Sequence, residues 1–124
     1  MDLESAKQTY IDMFGLMPPL PQAKFAFLEG VDAAFLGRVE ELRAAAFLSP
    51  IFDQKTTQLM IFAVLLSEGS GPAEWHAVAA RRAGATWEEL AHVVELVAAV
   101  QALGPANQGG AMLSKLRTAE TTTK

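Results

Sequence analysis

The stretch that decides the fold is HAVAARRAGATWEEL, residues 76–90, which has the pattern of one helix ending and the next beginning. Gly84 is a typical C-terminal stop, because glycine accepts the left-handed backbone that closes a helix. Thr86 and Glu89 form a capping box, in which the hydroxyl accepts from the amide three residues on and the carboxylate reaches back to the threonine amide. A helix is therefore predicted to begin at Trp87.

The segment before this stretch predicts two earlier helices. Asp53 suits the N-cap of a helix over 54–66, since its carboxylate can accept the free amide hydrogens of the first turn. A glycine-rich turn follows at 68–71. Pro72 then suits the first position of a helix that runs to Ala83, because the amide hydrogen that proline lacks would have no helical partner there.

Apolar residues at helical spacing predict the N-terminal elements. Residues 1–21 are expected to form a peripheral helix over 3–14 and a Pro-rich connector. From 23 to 47 apolar residues recur at threes and fours, and Gly30 is expected to separate a short helix from a longer one. Charged residues of this segment are placed on the opposite, solvent side: Asp32, Arg38, Glu40, Glu41 and Arg43.

The C-terminal part predicts one long helix that is interrupted. The helix from Trp87 is expected to break near Gly104-Pro105, and a last helix to span 106–117. The tail 118–124 is too polar to pack and is predicted to be flexible. Residues 1–124 are thus expected to form a single all-α domain.

Composition excludes several classes of function. The chain has 124 residues and no cysteine, which removes disulfides, thiolate zinc sites, iron–sulfur clusters and thiol catalysis. A formal charge of −4 leaves no broad basic surface, so neither nucleic acid nor an anionic membrane is an expected partner. The N-terminus lacks a secretory pattern and no apolar run reaches the roughly 18–20 residues of a membrane span. We expect a soluble cytoplasmic protein.

No metal site or cofactor is predicted. The two histidines are far apart in the sequence and no cysteine accompanies them. The turn Gly-Ser-Gly-Pro, residues 69–72, lacks the lysine and the preceding strand of a phosphate-binding loop.

Residues 25–116 resemble the carboxymuconolactone decarboxylase and alkylhydroperoxidase AhpD superfamily. DQKTTQLMIFAV, residues 53–64, is similar to that family's capped apolar helix before its active-site turn. Residues 76–90 are similar to its histidine, small-residue helix, Ala-Gly-x-Thr and Glu-Glu pair, and Asn107 stands where the family often has an asparagine. The AhpD branch reduces peroxide with a Cys-x-x-Cys pair before the histidine. Because this chain has no cysteine, a thiol peroxidase is excluded.

The resemblance implies an AhpD-like bundle of about six helices that assembles as a trimer or hexamer. It also implies cofactor-free decarboxylation of a small carboxylated lactone or unsaturated acid from aromatic or alicyclic catabolism. In such a reaction carbon dioxide leaves, its electrons spread into a conjugated carbonyl, and a proton is delivered to carbon. Two alternatives stay open: a member that has lost catalysis and binds a small ligand or serves a structural role, and a lactone hydrolase or isomerase on the same scaffold.

Six residues carry this hypothesis. His76 is assigned to proton transfer, with Glu68 as an orienting or auxiliary acid; the alternative for His76 is a buried histidine that only packs. The decarboxylase branch commonly has a glutamate one helical turn before the histidine, where this chain has Pro72, so either Glu68 or Glu74 is left to reach the ring. The substrate-binding candidates are Trp75, Arg81, Gln101 and Asn107.

Overall fold

The computed structural model describes residues 2–122, and these residues form helices without any strand. The predicted all-α class is confirmed. None of the helices in the described range is long and apolar enough to cross a membrane. In chain order the helices are α1 (Leu3–Phe14), α2 (Pro19–Val31), α3 (Ala33–Phe47), α4 (Gln54–Ser67), α5 (Ala73–Arg82) and α6 (Trp87–Thr122).

The signals predicted for the start of α4, the end of α5 and the start of α6 are present, whereas Pro72 lies one residue before α5 and not at its first position. The Asp53 carboxylate accepts from the amide of Thr56 at 2.7 Å and begins α4. Gly84 has a φ of 100°, the left-handed conformation expected after α5. In the capping box the Thr86 hydroxyl accepts from the Glu89 amide at 3.0 Å, and the Glu89 carboxylate accepts from the Thr86 amide at 2.9 Å. Local sequence therefore determines these helix ends.

The N-terminal segment is more central than predicted. α1 buries Ala6, Tyr10 and Phe14 in the hydrophobic core. The prolines do not form a separate connector, because α2 begins at Pro19, where the fixed φ and missing amide of proline are tolerated in a first turn. This segment therefore belongs to the main body of the fold.

The boundary between α2 and α3 lies at Asp32, two residues beyond the predicted Gly30. The Asp32 carboxylate accepts from the amide of Phe35 at 3.0 Å and so begins α3. The predicted solvent face of α3 is also wrong, since Glu40 is only 2% exposed whereas Leu42 is 72% exposed. α1 and α2 pack on α3, and the ion pairs of Glu40 make its burial possible.

The core has two parts that share α5. Ala79 of α5 packs with α1, α2 and α3, and Ala80, its neighbour, packs with α4 and the start of α6. Because α5 lies between the two clusters, its side chains are fixed from both sides. The first cluster is Ala6, Tyr10, Phe14, Phe25, Leu36 and Ala79, and the second is Phe62, Ala73, Ala80, Ala85 and Leu90.

The predicted break near Gly104-Pro105 is absent, and α6 continues for 36 residues with Pro105 inside it. Proline removes one backbone hydrogen bond and strains the preceding turn, at a cost of about 3 kcal/mol, but it does not oblige a helix to end. Residues 118–122 of the predicted tail are helical and exposed, and residues 123–124 lie outside the described range. From Val94 to Thr122 nearly every α6 residue is exposed.

We expect Pro105→Ala to strengthen α6, because alanine restores the missing hydrogen bond and removes the clash. Amide hydrogen exchange in residues 101–109 should slow by about two orders of magnitude, roughly the factor that about 3 kcal/mol represents. Pro19→Ala is the matched control, since Pro19 occupies a first turn and its replacement should leave exchange in α6 unchanged. Equal exchange rates in the parent and Pro105→Ala would mean that the helix is interrupted at this proline.

Candidate active site

His76 lies at the centre of the molecule, where α5 meets α1, α3 and α4. Its side chain is 8% exposed. The edges and faces of two phenylalanine rings enclose it, with centroid distances of 5.2 Å to Phe14 and 5.7 Å to Phe47. The ring nitrogen Nδ1 is 2.7 Å from Oε1 of Gln58 on α4. The imidazole is therefore held in one orientation by packing and by one hydrogen bond.

The Gln58 contact determines which nitrogen of His76 carries the hydrogen. Gln58 is 1% exposed, and its Nε2 donates to the sulfur of Met13 at 3.2 Å, which leaves its carbonyl oxygen facing the imidazole. Because a carbonyl oxygen can only accept, the neutral ring carries its hydrogen on Nδ1. Nε2 then has the free lone pair, and it has no hydrogen-bond partner within residues 2–122.

The environment of His76 disfavours its protonated form. Burial, followed by the positive charge of Arg43, lowers the pKa of His76 from 6.5 to about 4. Both causes act on the imidazolium, which loses hydration and is repelled by the guanidinium. At neutral pH the ring is a neutral hydrogen-bond acceptor through Nε2.

His76 and Trp75 line a cavity of about 250 Å³, which we call the histidine cavity. The turn before α5 forms part of the same wall through Gly71 and Pro72. Most of the surface is apolar, and Arg43 is its charged member at neutral pH. The other lining residues are Tyr10, Phe14, Pro18, Pro19, Leu20 and Pro21.

A buried carboxylate organises the polar side of this cavity. Glu40 Oε1 accepts from the Tyr10 hydroxyl at 2.8 Å and from Lys24 Nζ at 2.5 Å. Glu40 Oε2 has no hydrogen bond, and Nη1 of Arg43 lies 3.6 Å from it. The Arg43 guanidinium stacks on the Tyr10 ring at 3.4 Å and donates to the Thr9 hydroxyl at 2.8 Å.

The pKa values of Tyr10, Lys24 and Arg43 determine which of these groups are charged at neutral pH. Burial raises the pKa of Tyr10, so its hydroxyl stays protonated. Burial lowers the pKa of Lys24, but the hydrogen bonds to Glu40 and Tyr10 outweigh this and the net shift is upward. Burial also lowers the pKa of Arg43, although guanidinium stays protonated in proteins. The cavity therefore contains a fixed positive charge.

The structure brings two of the six predicted site residues, His76 and Trp75, to this cavity. Glu68 is exposed at the end of α4, and no contact joins it to His76, because Gln58 occupies the position beside Nδ1. Gln101 is also exposed, and it donates to the carbonyl of Ser67 at 2.9 Å.

Arg81 and Asn107 lie away from the histidine cavity. The Arg81 guanidinium stacks 4.4 Å above the Trp87 ring and donates to the carbonyl of Ala85 at 2.7 Å. Asn107 is exposed on the far half of α6. Within one chain, neither residue lines the cavity, so a role for either in binding substrate requires a second copy.

Sequence reasoning missed the residues that set the chemistry around His76. Gln58 carried one detectable signal, since it is a polar residue at the beginning of a largely apolar helix. The sequence signal of Glu40 and Arg43 was misleading, because their spacing along α3 predicted that both side chains face solvent. In residues 2–122 no group of three or more histidine, aspartate or glutamate side chains could hold a metal ion.

Comparison with known proteins identifies the family of this chain. Residues 33–113 match the family model described as the carboxymuconolactone decarboxylase family. No curated protein and no solved structure matches the chain. The matched range begins in α3 and ends in α6, so it contains Glu40, Gln58 and His76.

The lowered pKa of His76 predicts a specific dependence of stability on pH. In the unfolded chain His76 binds a proton below pH 6.5, whereas in the folded chain it does so only near pH 4. The free energy of unfolding therefore decreases as the pH falls from 6.5 to about 4. The advantage of the parent over His76→Gln should shrink by up to about 3 kcal/mol between pH 7 and pH 4.

Urea unfolding at a series of pH values measures this difference. His92→Gln is the control, because the His92 side chain is 63% exposed and lies beside Glu95 on the surface of α6. If the free energy of unfolding depends on pH in the same way in the His76→Gln and His92→Gln proteins, the buried neutral imidazole of His76 is not the cause of the pH dependence.

Proposed function

Because the chain belongs to the carboxymuconolactone decarboxylase family, we propose that it is a cofactor-free enzyme that decarboxylates a small carboxylated lactone or unsaturated acid. His76 transfers the proton in this reaction. The observation that supports the proposal most directly is that a neutral, oriented imidazole, whose Nε2 has no hydrogen-bond partner in the described residues, belongs to the lining of a cavity that also contains Arg43. A proton carrier and a site for negative charge are the two groups that such a reaction needs.

The reaction moves one electron pair and one proton. The bond between the substrate carbon and its carboxylate breaks, carbon dioxide leaves, and the electron pair enters the conjugated system that ends at the carbonyl oxygen. Arg43 stabilises the negative charge that develops on this oxygen. His76 Nε2, having taken a proton from solvent, then delivers it to carbon. The sum is one carboxylate and one proton consumed, and one carbon–hydrogen bond and one carbon dioxide formed.

Substrate charge and the protonation of His76 are coupled. Arg43 is one cause of the low pKa of His76, and an anion beside Arg43 offsets that repulsion. The pKa of His76 is therefore expected to rise above about 4 when the substrate is bound. Since His76 acts as an acid in the protonation step, kcat should decline as the pH rises through this increased pKa.

The alternative is a family member that has lost catalysis and binds a small ligand. The neutral amide beside His76 favours this alternative, because Gln58 orients the ring without stabilising an imidazolium. Glu68, Gln101, Asn107 and Arg81 enter either function only through a neighbouring copy, which remains a prediction.

We expect His76→Gln to lower kcat for lactone decarboxylation by at least 100-fold, the lower range of what positioned proton transfer contributes. Release of carbon dioxide from a panel of carboxylated lactones and unsaturated acids measures the effect. His92→Gln replaces the exposed histidine and should retain full activity. A parent protein that binds these compounds without releasing carbon dioxide would support the ligand-binding alternative.

A second variant tests the proton carrier through its pH profile. Gln58→Glu places a carboxylate beside Nδ1, which stabilises the imidazolium and raises the pKa of His76. The decline of kcat should then occur at a higher pH than in the parent. An unchanged profile, together with a pKa of His76 that NMR shows to have risen, would assign the profile to another group.

We also propose that α6 mediates assembly with other copies of the chain. No charged residue lies between Glu95 and Lys115, although almost all of this span is exposed. Exposed apolar side chains occur along this span of α6, among them Val100, Leu103 and Met112. An uncharged surface about 30 Å long is typical of the covered centre of an interface, and an identical α6 offers the complementary apolar surface.

Leu103→Glu should therefore reduce self-association, because the interface would bury an unpaired carboxylate. Sedimentation equilibrium at several concentrations should show a mass above the monomer for the parent and a shift of at least tenfold in dissociation constant for the variant. Gln22→Glu adds the same charge to the exposed side of α2 and serves as the control. A monomeric parent at high micromolar concentration would contradict assembly through α6.

A further inference from the structure

The positive and negative charges of the cluster beside the histidine cavity are unequal in number. Lys24 and Arg43 each contribute one positive charge to the cluster, and Glu40 contributes one negative charge. His76 is neutral above its pKa of about 4. The cluster therefore has one positive charge in excess, and a buried charge without a counterion is costly.

The excess charge lies at Arg43 and not at Lys24. Lys24 contacts Glu40 at 2.5 Å and its side chain is 29% exposed, so that water and the carboxylate both stabilise it. Arg43 is 11% exposed and lies 3.6 Å from the second oxygen of Glu40, beyond hydrogen-bond distance. Its hydrogen bonds within the described range go to the Thr9 hydroxyl and, at 3.9 Å, to the Met13 sulfur. Donors of its planar fork are left for a ligand.

The shape of the cavity limits the ligand to a small molecule with an apolar body. Its volume of about 250 Å³ corresponds to roughly eight water molecules at about 30 Å³ each. Phe14, Trp75 and the prolines at the start of α2 supply apolar walls. Tyr10 and His76 are further polar residues of the lining beside Arg43. A substituted six-membered ring is of the right size.

We propose that the histidine cavity selects small ligands with an apolar body and a single negative charge, with Arg43 as the specificity-determining residue. Glu40 is a positioning residue, which fixes Arg43 and limits the excess charge to one. The inference rests on the proposed function only in placing the substrate in this cavity. With a neutral ligand the one negative charge of Glu40 remains shared between Lys24 and Arg43, so the excess positive charge is not neutralised, and a dianion brings a second charge against apolar walls.

Binding of three aromatic probes tests this selectivity without any turnover. Benzoate has one negative charge, benzamide is its neutral counterpart of nearly the same shape, and phthalate has two charges at pH 7.5. Isothermal titration calorimetry should show benzoate binding roughly 10- to 100-fold more tightly than benzamide, the range expected for hydrogen bonds to a charged group. Phthalate should bind at least tenfold more weakly than benzoate. Equal affinities for benzoate and benzamide would overturn the proposal.

A pair of arginine variants locates the charge. Arg43→Met should abolish the preference for benzoate over benzamide. Arg82→Met is the matched control, since Arg82 is exposed, donates to backbone carbonyls of α1 and lines a different cavity. An equal loss of benzoate affinity in the two variants would show that overall charge, and not Arg43, attracts the anion.

Two further variants test the role of the excess charge. Lys24→Met removes a charge outside the lining of the cavity, and we expect it to weaken benzoate binding several-fold while benzamide binding is unchanged. Glu40→Gln should reduce the discrimination against phthalate if the protein folds, which far-UV circular dichroism checks. Unchanged benzoate affinity in Lys24→Met would contradict the charge balance.

The binding experiments and the decarboxylation assay can give opposite results, so charge selectivity and the proposed function are tested separately. Charge-selective binding through Arg43 without decarboxylation of any lactone would retain this inference and reject the enzyme. Decarboxylation by a protein that binds benzamide as tightly as benzoate would do the reverse.

Discussion

The burial of one carboxylate, that of Glu40, constrains the N-terminal half of the molecule. A carboxylate that loses its water is stable only when cations and hydrogen-bond donors replace that water. Glu40 obtains them from three helices: Tyr10 on α1, Lys24 on α2 and Arg43 on its own helix α3. These helices can therefore pack in few ways other than the one that brings the donors together. Since the same helices form most of the histidine cavity, the pairing of Glu40 also determines what surrounds His76.

Sequence reasoning predicted the features that depend on neighbours along the chain. The caps at Asp53 and Thr86 join residues three apart, so the sequence alone contains both partners. The surroundings of Glu40 are different, because its partner Tyr10 is 30 residues away. Helical periodicity assigns a charged residue to solvent unless the covering helix is known. The prediction for α3 was wrong for this reason.

The same distinction applies to the candidate site. The sequence predicts His76 because its position in a helix with small neighbours resembles a family pattern, and it predicts Trp75 because that residue adjoins His76. Gln58 and Arg43 were not found, since each acts on His76 through a contact between different helices. α6 is the opposite case, where Gly104 and Pro105 carried a strong local signal for a break that the helix does not make. A local signal such as Pro105 indicates that a helix is less stable at that residue. Packing or assembly decides whether the helix forms there nevertheless.

The partner of the imidazole determines how the site can work. A carboxylate at the position of Gln58 would favour the imidazolium and make His76 a ready acid before any ligand arrives. The amide oxygen instead fixes the ring and leaves it neutral, while Arg43 keeps a positive charge in the same cavity. An anion that enters this cavity would pair with Arg43 and remove one of the two causes that keep the imidazole unprotonated. In the proposed reaction, ligand binding would therefore favour proton uptake at Nε2 when a negatively charged substrate is present to receive the proton.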